Sequence, residues 1–96
     1  MILVKFHPEA DAEMMAAASY YEAQQTGLGR RFLVAVQDAV NRVAIRPGLY
    51  PVVELDVRRC LLKMFPFAVL FRERAGMIVV MAVMHLHREP AYWKDR

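Results

Sequence analysis

Met77-Ile78-Val79-Val80-Met81-Ala82-Val83-Met84 is apolar at odd and even positions alike. A strand with one wet face alternates apolar and polar residues, so a run apolar at both parities predicts a central strand covered on both faces. The run extends to Leu86. Ala75-Gly76 sits just before it as a tight turn, joining it to Phe67 through Arg74, where Phe67, Val69 and Phe71 have the alternation of a buried strand face. A further strand-like run covers Val57 to Met64, and Leu49 to Asp56 reads as a loop or a short irregular extended piece.

The period changes upstream of these strands. Leu28, Phe32, Val36, Ala39, Val40 and Val43 recur on one helical face until Arg46-Pro47-Gly48 ends the helix, because proline restricts its predecessor and cannot continue the hydrogen-bond ladder. Gly27-Leu28-Gly29 breaks the pattern before it with a left-handed cap. Residues 8 to 25 form an earlier helix in which Ala10, Met14, Ala17, Ala18 and Tyr21 make a narrow stripe of mainly small residues, suited to close helix contact. Pro8 fits its first turn, and Glu9, Asp11 and Glu13 complement its dipole. Ile2, Val4 and Phe6 alternate with Leu3, Lys5 and His7 as a short opening strand. The expected architecture is α+β, in the order β-α-α-β-β-β, with an antiparallel helical hairpin packed on a small, mainly antiparallel sheet. The hairpin covers one sheet face. A partner chain is the expected cover of the other, since the tail Glu89 to Arg96 reads as one helical turn with few buried contacts.

The chain has 96 residues, 57% of them hydrophobic, and no Pro/Gly/Ser-rich linker, which implies one domain spanning residues 1–96 with a core of modest size. Lys5 and His7 interrupt the apolar start, leaving no signal or membrane-spanning segment and an expected place in the cytoplasm. Cys60 is the lone cysteine, so an internal disulfide and a cysteine-only metal site are excluded. Net charge is +3, unevenly spread: residues 8 to 26 carry Glu9, Asp11, Glu13 and Glu22 without a Lys or Arg, while residues 47 to 96 carry eight basic and five acidic side chains. A basic half suits an acidic partner.

Catalytic signatures are sparse. There is no P-loop, GxSxG, HExxH or GxGxxG, and neither a cofactor nor a metal is expected. His85 and His87, with Arg88 next and Tyr92 four residues on, offer acid-base groups for work on RNA, or else plain polar residues at a strand end. Arg59 and Lys63, expected on one strand face with Arg58 on the other, together with Arg72 and Arg74, are candidates to hold phosphate or carboxylate.

Taken in order, Tyr20-Tyr21, Gly27-Leu28-Gly29 with Phe32, Pro47, Val57-Arg58-Arg59, Phe65-Pro66-Phe67-Ala68-Val69, Ala82-Val83-Met84-His85 and Arg88-Glu89-Pro90 leading to Trp93 and Arg96 resemble the RelE/ParE toxins across essentially the whole chain. That resemblance implies a neighbouring antitoxin that wraps the toxin, in a possible toxin-antitoxin hetero-oligomer, and growth arrest when the toxin is free. The family contains two activities. Its ribosome-dependent ribonucleases, which cut mRNA, place cations where this chain has Ala68 and Leu86, although Tyr92 resembles their C-terminal tyrosine. The ParE branch, which inhibits DNA gyrase without being an enzyme, resembles this chain better in the hairpin and in Phe65-Pro66-Phe67. The resemblance therefore implies a gyrase inhibitor first, with a target-binding set of Arg59, Lys63, Arg72, Arg88, Trp93 and Arg96. An mRNA endonuclease built on His85, His87, Arg88 and Tyr92 is the second reading.

Overall fold

Pro8 turns the first strand into a helix. In the computed structural model, which describes residues 2–96, β1 (Leu3–Phe6) leads directly into α1 (Pro8–Gln24), with the proline in the first turn, where its missing N–H is no loss. His7 Nδ1 accepts from the Glu9 N–H at 3.1 Å and satisfies one of the helix's orphan donors. Gly27, at φ 88°, reverses the chain into α2 (Leu28–Ile45). Glu22, near the end of α1, caps the start of α2 by accepting from the Gly27 and Gly29 N–H groups, each at 3.0 Å. At Gly29 a Cβ would lie 2.5 Å from the Ala18 carbonyl oxygen, so glycine permits the close crossing of the two helices.

A 3-10 turn at Pro47–Leu49 follows, then β2 (Val52–Glu54), β3 (Val57–Leu61), β4 (Phe67–Arg74) and β5 (Met77–His85). The sheet order is β1-β5-β4-β3-β2; β1 runs parallel to β5 and the other neighbours are antiparallel. The extended piece expected between Leu49 and Asp56 is a true edge strand, closed against β3 by Leu55 at φ 53°. The strand expected to reach Met64 stops at Leu61, because Met64 takes a left-handed φ of 68° ahead of Pro66.

Both sheet faces are covered, in different ways. The hairpin stripes, Ala10 and Ala18 on α1 with Phe32, Val36, Ala39, Val40 and Val43 on α2, pack on Cys60, Val69, Phe71, Ile78 and Val80. On the opposite face Val57, Ala68, Leu70, Met81 and Ala82 close around Trp93, which is only 2% exposed. This corrects the expected partner chain and the expected loosely attached tail. The chain's own last residues fold back over the second face, and Lys94 Nζ clasps Glu54 on β2 at 2.7 Å. A slip in the β4–β5 register, between Leu70↔Ala82 and Phe71↔Val80, leaves Met81 without a partner. Such a bulge adds one residue to one strand, and here Met81 and Ala82 both face the tail.

Candidate functional site

β1 ends at Phe6, so beyond Val80 the outer edge of β5 has no neighbouring strand. Side chains take its place. Glu13 on α1 accepts from the Val83 N–H through Oε1 at 3.1 Å, and Arg96 Nη1 donates to the Met81 carbonyl at 3.0 Å. Glu13 and Arg96 join each other in a two-pronged ion pair at 2.8 and 2.9 Å, and the Tyr92 hydroxyl donates to Glu13 Oε2. Arg88 lies with its guanidinium carbon 3.8 Å above the Tyr92 ring and Nη1 3.8 Å from Glu13 Oε2. One carboxylate thus ties the tail to α1 and β5. The acidic segment of the sequence and the basic C-terminal half meet inside the molecule.

The electrostatics follow from this clustering. Burial on its own would raise the Glu13 carboxyl, but the hydrogen bonds from Arg96, Tyr92 and the Val83 N–H outweigh it and hold the group below the ordinary carboxylate range. The same contacts act oppositely on Tyr92: burial, the hydrogen bond to Glu13 and the carboxylate's charge push its hydroxyl far above the usual phenol range. A tyrosine so held keeps its proton and cannot serve as a base near neutrality. Burial likewise pushes the Cys60 thiol up despite the nearby Arg42 cation, leaving it a packing residue without nucleophilic character.

The sequence candidates separate into groups. His85 packs edge-on against Phe67, under the hairpin, with 5.1 Å between ring centroids, and its Nδ1 accepts from the His87 N–H at 3.0 Å. Tyr92 packs with the opposite core and under Arg88, so the four residues of the nuclease reading fall into a histidine pair, His85 with His87, and an Arg88–Tyr92 pair. Among the described residues no cluster of three metal-ligating side chains occurs. Lys63 lies 4.0 Å from Asp38 on α2, toward the hairpin and away from Arg59, contrary to the shared face expected from strand parity; β3 has already ended. Arg72 is paired with Asp56 at 3.0 Å, as is Arg74 at 3.1 Å. Arg96 is nearly buried against Glu13.

Arg59, Arg88 and Trp93 do come together. They line an open cavity of about 230 Å³ on the second face, floored by Leu70, Met84 and Trp93, walled by Val53, Leu86, Pro90 and Ala91, and rimmed by Arg59, Arg88 and Glu54. The Glu54 charge is answered by Lys94, whereas Arg59 makes no ion pair among the described residues. The arrangement offers an apolar recess beside two cations. Glu13 was missed as the hub of the network because its sequence position marks only a helix N-terminus. Its spacing from Tyr92 and Arg96 carries no local signal.

A helical hairpin on one face of a five-stranded mixed sheet, with a folded-back tail on the other, defines the class of small RelE/ParE-like α+β proteins. Within that class, the chain belongs to the ParE toxin family of the type II toxin-antitoxin system parDE, whose model matches residues 4–90. The structure is similar to the chromosomal ParDE toxin-antitoxin system from P. aeruginosa, with 24% identity over 88% of this chain and 96% of that one and a TM-score of 0.64, a likeness that shows the fold. No curated protein matches the chain. No helix among the described residues is long and apolar enough to cross a membrane.

Proposed function

We propose that this toxin acts in the cytoplasm by binding and inhibiting DNA gyrase, without chemistry of its own, and that a cognate antitoxin neutralises it. Membership of the ParE family supports this reading. The observation that carries it against mRNA cleavage is the state of the positions that would have to handle a phosphate. Ala68 is fully buried beneath Trp93, Leu86 is an apolar wall of the cavity, and the Tyr92 hydroxyl is committed to Glu13. Loss of one oxyanion-stabilising group costs roughly 3–4 kcal/mol of barrier, a factor of about 10²–10³ in rate. Arg59 and Arg88 are the solvent-facing cations of the candidate set beside the cavity and are the proposed gyrase contacts, while Trp93 and Arg96 serve by holding the tail.

The deciding experiment adds purified toxin to gyrase with relaxed plasmid and, at matched concentration, to ribosomes programmed with message. The expected result is blocked supercoiling or stabilised cleaved complexes, with the message intact. Message cleavage that falls by orders of magnitude in His87→Ala and Tyr92→Phe, with gyrase unaffected, would overturn the proposal in favour of a ribosome-dependent endonuclease.

A further inference from the structure

A groove of about 1130 Å³ lies on the hairpin face beside β1, at the opposite edge of the sheet from β2. Val4, Phe6, Val40 and Ala44 line it, and Leu3 and Ile45 stand beside it 69% and 77% exposed. None of its lining residues is charged, and its two amides, Gln37 and Asn41, satisfy each other at 2.9 Å. A charged ligand finds no counter-ion there. β1 also has no strand on its outer side. The His7 N–H points inward, to the Val80 carbonyl at 2.9 Å. Backbone groups of successive strand residues turn to alternate sides, so Leu3 and Lys5 aim theirs at β5, while Val4 and Phe6 aim theirs outward. Unpaired groups of this kind are a template for another extended chain.

We propose that a second copy of this chain occupies this edge, with its β1 antiparallel to the first across a two-fold axis at Val4. The reason is self-complementarity, since each contact in a two-fold interface occurs twice and must suit both copies. Of the four strand residues, only one serves well as the centre. A centre at Lys5 sets two like charges directly opposite each other, which is destabilising. A centre at Phe6 sets Val4 against Pro8, which has no N–H to give. A centre at Leu3 runs Phe6 past the start of the opposing strand. A centre at Val4 joins the two Val4 residues by reciprocal N–H to C=O bonds and opposes Leu3 to Lys5 and Ile2 to Phe6. The Lys5 stem then lies along Leu3 of the second copy with its ammonium in water. The Phe6 ring of the second copy stands beside Ile2, a lining residue of the groove, and fills it. Two molecules of net charge +3 thereby meet on an uncharged surface. This inference is independent of the gyrase reading, because the Arg59–Arg88 cavity lies on the other sheet face and stays open in the dimer.

The test uses the purified toxin alone. The contact is at the small end of specific interfaces, so sedimentation should show a monomer–dimer equilibrium at concentrations on the order of 100 μM. Amide exchange at Val4 and Phe6 should slow at least ten-fold as the dimer forms, while Lys5, already bonded to β5, stays unchanged. Two variants at the exposed Leu3, each first shown to melt as wild type does, read the register. Leu3→Lys opposes like charges, whereas Leu3→Glu gains Lys5 of the second copy as its partner. Leu3→Glu should therefore associate at least five-fold more tightly than Leu3→Lys, and high salt should shrink the difference. A protein monomeric to about 1 mM, a dimer whose Val4 and Phe6 amides stay open to exchange, or equal association by the two Leu3 variants would overturn the proposal. Protection of those amides only after the cognate antitoxin is added would overturn it too, and would give the edge to that partner.

Discussion

At the scale of single residues, Glu13 matters most, because one carboxylate accepts from a guanidinium, a phenol and a backbone N–H at once. With side chains 16% and 9% exposed, Glu13 and Arg96 form an ion pair whose remaining member would be stranded if the other were removed. Breaking such a pair is expensive because the leftover charge has lost its water, so Glu13→Ala should destabilise the fold by about 3 kcal/mol, measured by chemical denaturation. The pH dependence follows from the direction of the Glu13 shift. Its folded value lies below the ordinary 4.5, so the stabilisation is fully present above that pH and is lost as pH falls through the depressed folded value. Acid unfolding of Glu13→Gln, which cannot ionise, should therefore show less loss of stability below about pH 4.5 than wild type. An unchanged acid limb in that variant would count against the assigned role.

At the scale of elements, the hairpin and the tail do different work on opposite faces of one sheet. Gly29→Ala puts a methyl group 2.5 Å from the Ala18 carbonyl, backbone that cannot swing aside, so α1 and α2 must move apart. Overpacking of this kind costs roughly 1–3 kcal/mol, and a lowered melting temperature should report it. The tail is a packing element despite its turn-like appearance. Trp93→Ala should cost about 3–5 kcal/mol, the usual range for a buried aromatic cut back to alanine, and truncation after Pro90 should cost more, since it also strands Glu13. Full stability of the truncated chain in a thermal melt would refute this. A loss of toxicity in that truncation thus reports unfolding as well as lost contact, and the exposed Arg59, which makes no ion pair among the described residues, is the position that probes contact alone.

At the scale of the whole molecule, a sheet covered on both faces by its own chain should fold without a partner. The purified toxin is expected to give a single cooperative thermal transition in the absence of antitoxin, and a partner-dependent fold would show instead as a broad transition with no cooperative unfolding. Much of this architecture was legible in the sequence. The two periods, 3.6 over the helices and two over the strands, arise from local backbone geometry and so specified the hairpin stripes and the buried faces of β4 and β5. Gly27, Pro8 and Pro47 mark boundaries because their own dihedral limits act wherever they occur. The two-sided apolar run at Met77 to Met84 correctly announced two covers. Which group supplies the second cover was not readable, because Trp93 reaches Val57 and Ala68 only through the return of the tail, a long-range contact with no local period. The cavity was half readable. Arg59 and Arg88 stood out as cations, but their pairing beside Leu86, like the meeting of Glu13 with Arg96, depends on how β1 stops short and where the chain end folds. Sequence patterns record what each residue demands of its neighbours along the chain; which distant charge answers which is decided when the sheet order and its open edge bring them within hydrogen-bond reach.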